Sequence, residues 1–236
     1  MGVLRVLMYH RVSEEHKDFL TVTRSQLQAQ LQWLKQHFTP VTLRQVINHI
    51  EKNEGLPDNA LLITFDDGYE NNFEFAYPLF RDMGIPFAIF LVGDFIGKTL
   101  EYDGSMQTFL SVHQLEFMQD MAQYGYHSKG HQNLMNLDES EWASEIEQGI
   151  QSLAHLPVKI ENAWAYTYGS YPKKDPQAFS RLSAVFSTYG ISAAFRIGNR
   201  INKIPLEKNF TIQRIDIRGN DAWLKFKFMV KWGKPL

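Results

Sequence analysis

Apolar runs alternate with capped, one-sided helical segments along almost the whole chain, and this constrains the fold more than any other feature. Residues 3–9 read as a first strand. Thr23-Arg24-Ser25-Gln26 is a capping box, opening a helix whose Leu27, Leu31, Leu34 and Phe38 share a face. Thr42-Leu43-Arg44-Gln45 opens a second helix through 52, residues 55–59 form a turn, and 61–65 read as a buried strand. A helix follows over 71–83, ended by Gly84, and then a strand over 85–92. Residues 93–110 read as an irregular surface loop bordering the strand ends. Ser111-Val112-His113-Gln114 predicts a helix to 124, after which Gly125-Tyr126-His127 begins a short strand. Asp138-Glu139-Ser140-Glu141 caps a helix to 153. Strands over 162–167, 191–195 and 211–217 then alternate with a helix over 176–189, and 222–232 is a last helix. The pattern predicts an α/β fold of βα units around a parallel sheet, open or closed into a barrel, as a single domain over 1–236.

Composition narrows the chemistry. With 24 basic and 26 acidic residues, a net charge of -2 and no basic block, the chain offers no electrostatic footprint for nucleic acid or an anionic membrane. It has no cysteine, so any metal must be held by nitrogen and oxygen. The opening Val3-Leu4-Arg5-Val6-Leu7-Met8 is too short, and too interrupted by Arg5, for a signal peptide or a membrane span. The expectation is a cytoplasmic protein with no integral membrane segment, compatible with peripheral association with envelope glycan synthesis.

The chemistry concentrates at two places. Asp66 and Asp67 close the apolar run Leu61-Leu62-Ile63-Thr64-Phe65, and ligands of parallel α/β sheets gather at the carboxyl ends of strands. Neighbouring side chains on an extended backbone point opposite ways, so one carboxylate can hold a cation while the other faces substrate or water. Gly68 suits the sharp turn that must follow. Farther on, His127-Ser128-Lys129-Gly130-His131 spaces two imidazoles so that one turn or tight loop presents both. Asp67 would complete a set of three ligands, leaving a position on the ion open to water or a substrate oxygen, and Asp66 could take the proton from that water. The same residues also fit blander readings: two solvated histidines beside a loop, and an ordinary strand-ending turn at Asp-Asp-Gly.

Order and combination matter here. Thr64-Phe65-Asp66-Asp67-Gly68-Tyr69, then His127-Ser128-Lys129-Gly130-His131, then Trp164-Ala165-Tyr166-Thr167-Tyr168-Gly169-Ser170-Tyr171 resembles the successive motifs of the polysaccharide deacetylases, the NodB-homology group or carbohydrate esterase family four. The opening Val6-Leu7-Met8-Tyr9-His10-Arg11-Val12 is most similar to the branch that includes the poly-N-acetylglucosamine deacetylases. The resemblance implies a distorted (β/α) barrel of parallel strands with outer helices, and a bacterial, metal-dependent carbohydrate N-deacetylase. By it Asp66 is the general base, while Asp67, His127 and His131 hold one divalent metal, zinc first, with nickel, cobalt, manganese or iron as alternatives. Tyr168 and Gly169 would lie at the oxyanion and substrate groove. Thr167 departs from the proline that often precedes the tyrosine, which puts that loop's shape in question.

Many relatives also end with a histidine that protonates the leaving amine, and this chain has no histidine after Ile191. The branch resemblance implies that the first strand supplies it, which makes His10 the candidate acid. Arg214 occupies the late strand where the branch often places an arginine near the active site, and pairing there with Asp66 would keep that carboxylate ionised. A buried histidine satisfied by a carbonyl and an exposed arginine are the bland alternatives. For Trp164 and Tyr166, simple packing competes with a groove role. His16, His37, His49, His113 and His155 read as surface residues. The expected activity is removal of N-acetyl groups from an N-acetylated amino sugar or polysaccharide. A hydrolase of cyclic or other small amides on the same fold, and a non-catalytic sugar-binding protein, are the alternatives.

Overall fold

Seven apolar segments form the seven strands of a closed parallel barrel in the computed structural model, which describes residues 2–15 and 18–234. They are β1 (Val3–Tyr9), β2 (Asn59–Asp67), β3 (Phe87–Leu91), β4 (Ala122–Tyr126), β5 (Ile160–Ala165), β6 (Ala193–Ile197) and β7 (Ile212–Asp216). Each pairs in parallel with the next, and β7 and β2 both pair with β1, which closes the ring. Helices α1 (Arg24–His37), α2 (Leu43–Lys52), α3 (Tyr77–Met83), α4 (Val112–Phe117), α5 (Trp142–Leu153) and α6 (Pro176–Thr188) occupy the connections, and α7 (Trp223–Trp232) follows β7. The capping boxes at Thr23, Thr42 and Ser111 are all present.

Period-two alternation divides the apolar residues between two cores. Leu4, Val6, Leu62, Ala88, Phe90, Ala163, Ala165, Ala193 and Phe195 fill the barrel, while Leu7, Tyr9, Leu61, Ile63 and Phe65 face the helices. The inside is small-walled for a reason. A side chain at Gly125 would lie 2.6 Å from the Phe90 ring and 2.9 Å from the Ala163 carbonyl. Only glycine on β4 leaves room for that ring, and the Arg214 guanidinium lies 5.5 Å above the same ring. Val41, Leu43, Val46 and Ile47 join this inner core and cover the barrel near the start of β2, where the Val41 N–H donates to Leu61.

Register carries the sequence motifs to one mouth. β1 and β2 run level from Val3 opposite Asn59 to Tyr9 opposite Phe65, so the next residues, His10 and Asp66, leave neighbouring strands side by side. Asp67 is level with Leu91, and Leu91 with Tyr126, so the histidine segment after β4 emerges at the same rim.

Several expectations need correction. The helix from Ser111 ends at Phe117, and the apolar stretch after it begins β4 at Ala122, because its backbone pairs with β3. The histidine pair follows that strand instead of riding on it. Residues 93–110 hold a hairpin, Thr99–Tyr102 against Ser105–Thr108, where an irregular loop was expected. The helix expected over 71–83 opens with a π turn, Asn72–Ala76. His49 is buried, its Nδ1–H donating to the Glu54 carbonyl at 2.7 Å and its Nε2 accepting from the Leu206 N–H. His16 lies outside the described residues. No helix among the described residues is long and apolar enough to cross a membrane.

Candidate metal centre

The site is built from the ends of β2, β4, β5 and β7. Alternation along β2 puts Thr64 and Asp66 inside the barrel and would send Asp67 outward. Asp67 instead adopts a left-handed backbone, φ 72°, followed by Gly68 at 76°, and its carboxylate turns toward the histidines. Left-handed geometry is costly for a residue with a Cβ and is concentrated where function requires a fixed direction. Ser128, His131 and Tyr168 share it, with φ of 69°, 60° and 56°. Four strained residues thus surround one point.

Asp67, His127 and His131 are buried, and one ligand atom from each can be chosen so that all lie within 4.8 Å of one another. The Asp67 Oδ1 is 3.4 Å from His127 Nε2 and 3.3 Å from His131 Nε2. Each imidazole is oriented from behind. The His127 Nδ1–H donates to the Ala165 carbonyl at 2.8 Å, and His131 Nδ1 is 2.8 Å from the Tyr102 hydroxyl. Outer partners of this kind fix ring orientation and leave each Nε2 facing the Asp67 carboxylate, where an ion could be held. The Asp67 Oδ1 is buried with no hydrogen-bond partner, a costly arrangement for a carboxylate unless a cation meets it. One carboxylate oxygen and two imidazole nitrogens are a donor set that suits a divalent metal ion with an open position.

Asp66 lies beside this triad without joining it. Its Oδ1 and Oδ2 accept from the two terminal nitrogens of Arg214 at 2.6 and 2.7 Å, and His127 Nε2 is 3.9 Å away. Burial alone would raise the Asp66 carboxyl, but the Arg214 guanidinium, then His127, outweigh it and hold the group below its ordinary value. Burial opposes Asp67 in the same way, and its two imidazoles hold it well below the usual carboxylate range. Burial lowers His127, yet the two carboxylates raise it overall.

The third motif turns at the rim. Trp164 and Tyr166 are buried and pack: Trp164 against Tyr126 and Phe186, Tyr166 against Tyr171 and Phe186, with the Tyr166 hydroxyl donating to the Phe210 carbonyl. Simple packing accounts for both. Tyr168 is exposed, its ring centroid 4.7 Å from that of His131. The Thr167 hydroxyl donates to the Gln132 carbonyl, and the Gln132 N–H donates to Ser128 Oγ. A proline there could make no such bond, so the departure at Thr167 ties the tyrosine turn to the histidine loop. His10 leaves β1 beside Asp66, with its Nδ1 buried and unpartnered.

Tyr102 is the site residue that sequence reasoning missed. Asp103-Gly104 between Tyr102 and Ser105 is a hairpin-turn signature, and it was legible.

The sequence pattern of the polysaccharide deacetylases matches residues 53–202, more than half of the chain. The chain belongs to this family. As a deacetylase-family chain it is 27% identical over 242 residues to the poly-beta-1,6-N-acetyl-D-glucosamine N-deacetylase of Staphylococcus epidermidis, covering 92% of this chain and 79% of that protein. It is 26% identical over 182 residues to Bacillus subtilis YxkH, itself assigned to the polysaccharide deacetylases, covering 74% of this chain and 60% of that one. This family member therefore spans less than two thirds of YxkH's length. IcaB from Ammonifex degensii shares the fold, with a TM-score of 0.78, 23% identity and 98% of each chain covered. The deacetylase barrel extends beyond the matched stretch, since β1, which leads to His10, and β7, which carries Arg214, both help to close it.

Proposed function

We propose that this chain is a metal-dependent hydrolase that removes N-acetyl groups from an N-acetylated amino sugar within a glycan. The observation that carries the reading is the buried, unpartnered Asp67 oxygen faced by two imidazole nitrogens, with a second, ionised carboxylate beside it. Asp67, His127 and His131 would hold the ion, with zinc proposed first. Such an ion supplies Lewis acidity, polarising an amide carbonyl and making bound water easier to deprotonate.

The chain's own residues do the rest. Asp66, held ionised by Arg214, accepts the proton of the attacking water, and each of its oxygens keeps a second lone pair for this. The amide at the Tyr168 turn donates to the developing oxyanion. Gly169 N–H is already given to the Tyr166 carbonyl at 2.9 Å, so the Tyr168 amide is the one proposed. His10 donates a proton to the departing nitrogen as the carbon–nitrogen bond breaks, giving acetate and a free amine.

Acetate release tests the reading. N-acetylglucosamine oligomers, lipid- or nucleotide-linked amino sugars and cyclic ureides are offered to the purified protein before chelation, after chelation and after zinc is restored. Release from an amino sugar that stops on chelation and returns with zinc supports the proposal. Sugar binding that persists without metal, with no amide hydrolysed, would instead mark a binding protein. His10→Ala is expected to retain the ion and lose turnover, and near-normal turnover would remove His10 from the mechanism.

A further inference from the structure

Helix α7 carries a surface that the barrel does not use. It docks through Phe226 and Val230, both buried, with Trp33 of α1 edge-on to Phe226, and Arg5 Nε donates to the Val230 carbonyl at 2.8 Å. The opposite side faces solvent. Leu224, Phe228 and Trp232, four residues apart, are 74%, 48% and 71% exposed and form one stripe about 12 Å long. Trp223 beside them is exposed as well. Of the eight large hydrophobic side chains exposed among the described residues, these four share one ten-residue helix. That is a concentrated patch, not the single scattered residues normal for a surface.

Charge identifies what the patch fits. From 221 to 234 there are four lysines, Lys225, Lys227, Lys231 and Lys234, and one acid, Asp221, which pairs with Lys225 at 2.6 Å. The whole-chain charge of -2 conceals this local excess. The Lys227 ammonium lies 5.6 Å from the Trp223 ring and that of Lys231 5.7 Å from the Trp33 ring. Each ammonium thus lies over the face of an indole at the flank of the stripe. A stripe of Leu, Phe and Trp flanked by lysines matches a helix lying in the plane of a lipid surface. An apolar protein groove would have to desolvate those ammonium groups, whereas anionic headgroups meet both features at once.

Position adds to the case. The loop into α7 leaves the mouth end of β7, where the Gly219 N–H donates to the Phe19 carbonyl and Arg218 lies 5.2 Å from the exposed Phe19 ring. The Trp223 end of the patch is therefore on the same side of the barrel as Asp66 and Asp67.

We propose that α7 is an interfacial anchor: Leu224, Phe228 and Trp232 enter the surface of an anionic bilayer while Lys227 and Lys231 meet its phosphates. The proposal is independent of the reaction assigned above. Co-sedimentation with vesicles of phosphatidylcholine mixed with phosphatidylglycerol, and of phosphatidylcholine alone, tests it at low and high salt, with tryptophan emission recorded alongside. The expected result is binding to the anionic vesicles with a blue shift, weakened by salt and by removal of phosphatidylglycerol. Lys227→Gln with Lys231→Gln should lower partitioning about thirtyfold. Leu224→Glu with Trp232→Glu should abolish it, leaving the melting temperature and hydrolysis of a short soluble substrate unchanged. Failure of the unaltered protein to bind anionic vesicles at low salt overturns the proposal, as does binding indifferent to these substitutions. So does sedimentation velocity showing a dimer that Leu224→Glu dissociates, without vesicle binding, since the stripe would then join two copies of the chain.

Discussion

Arg214 grips Asp66 through two parallel hydrogen bonds of 2.6 and 2.7 Å, with the guanidinium fully enclosed in the barrel mouth. Removing one partner of a buried pair leaves a charge uncompensated. Arg214→Met should cost about 3–5 kcal/mol of stability, read in urea melts. It should also raise the Asp66 carboxyl toward and above its ordinary value, moving the acid limb of the pH–rate profile to higher pH. Arg214→Lys retains the charge but loses the two-point fork, so intermediate values are expected on both measurements.

Metal-free protein should be most stable at intermediate pH. His127 is raised above its ordinary 6.5, so its stabilising contribution is complete below 6.5 and is lost as pH climbs through the folded value. Asp66 and Asp67, both lowered from 3.8, contribute stability above 3.8 that is lost as pH falls through their folded values. Thermal melts of chelator-treated protein should therefore weaken at both ends. Because a metal ion needs neutral imidazoles, the stabilisation produced by added zinc should grow as pH rises from 6 to about 8.

Tyr102→Phe removes the hydroxyl behind His131 Nδ1 and leaves the three ligands in place. Metal affinity should fall by roughly 10–100-fold. Activity lost at limiting zinc should return at high zinc. Loss of activity that added zinc does not restore would show that Tyr102 does more than orient the ring.

Gly125→Ala tests the barrel packing separately from the chemistry. The new methyl would meet Phe90 at 2.6 Å and the Ala163 carbonyl at 2.9 Å, and the carbonyl belongs to backbone that cannot swing away. A loss of about 1–3 kcal/mol is expected in denaturant melts, typical of overpacking.

The strands and the candidate metal-holding cluster were legible in the sequence, the strands from apolar runs and capping boxes, the cluster from paired residues whose order resembles the deacetylase motifs. Asp66, Asp67, His127 and His131 do converge, and Arg214 does reach Asp66. What could not be read depends on tertiary context. The apolar stretch near Ala122 suits helix or strand, and pairing with β3 decides it. The left-handed turn at Asp67 reverses the side-chain direction that alternation assigns. His49 looks like a surface helix residue until the Leu206 N–H is brought to it across the fold, beside the Glu54 carbonyl just past its own helix.

The central claim is a single ion held by Asp67, His127 and His131. Anomalous scattering at the zinc edge, from crystals of the purified protein grown with zinc, tests it most directly. The account predicts one strong peak bounded by Asp67 Oδ1 and the two Nε2 atoms, lost in Asp67→Ala. Fully active crystals with no peak there, or with the ion bound elsewhere, would contradict it.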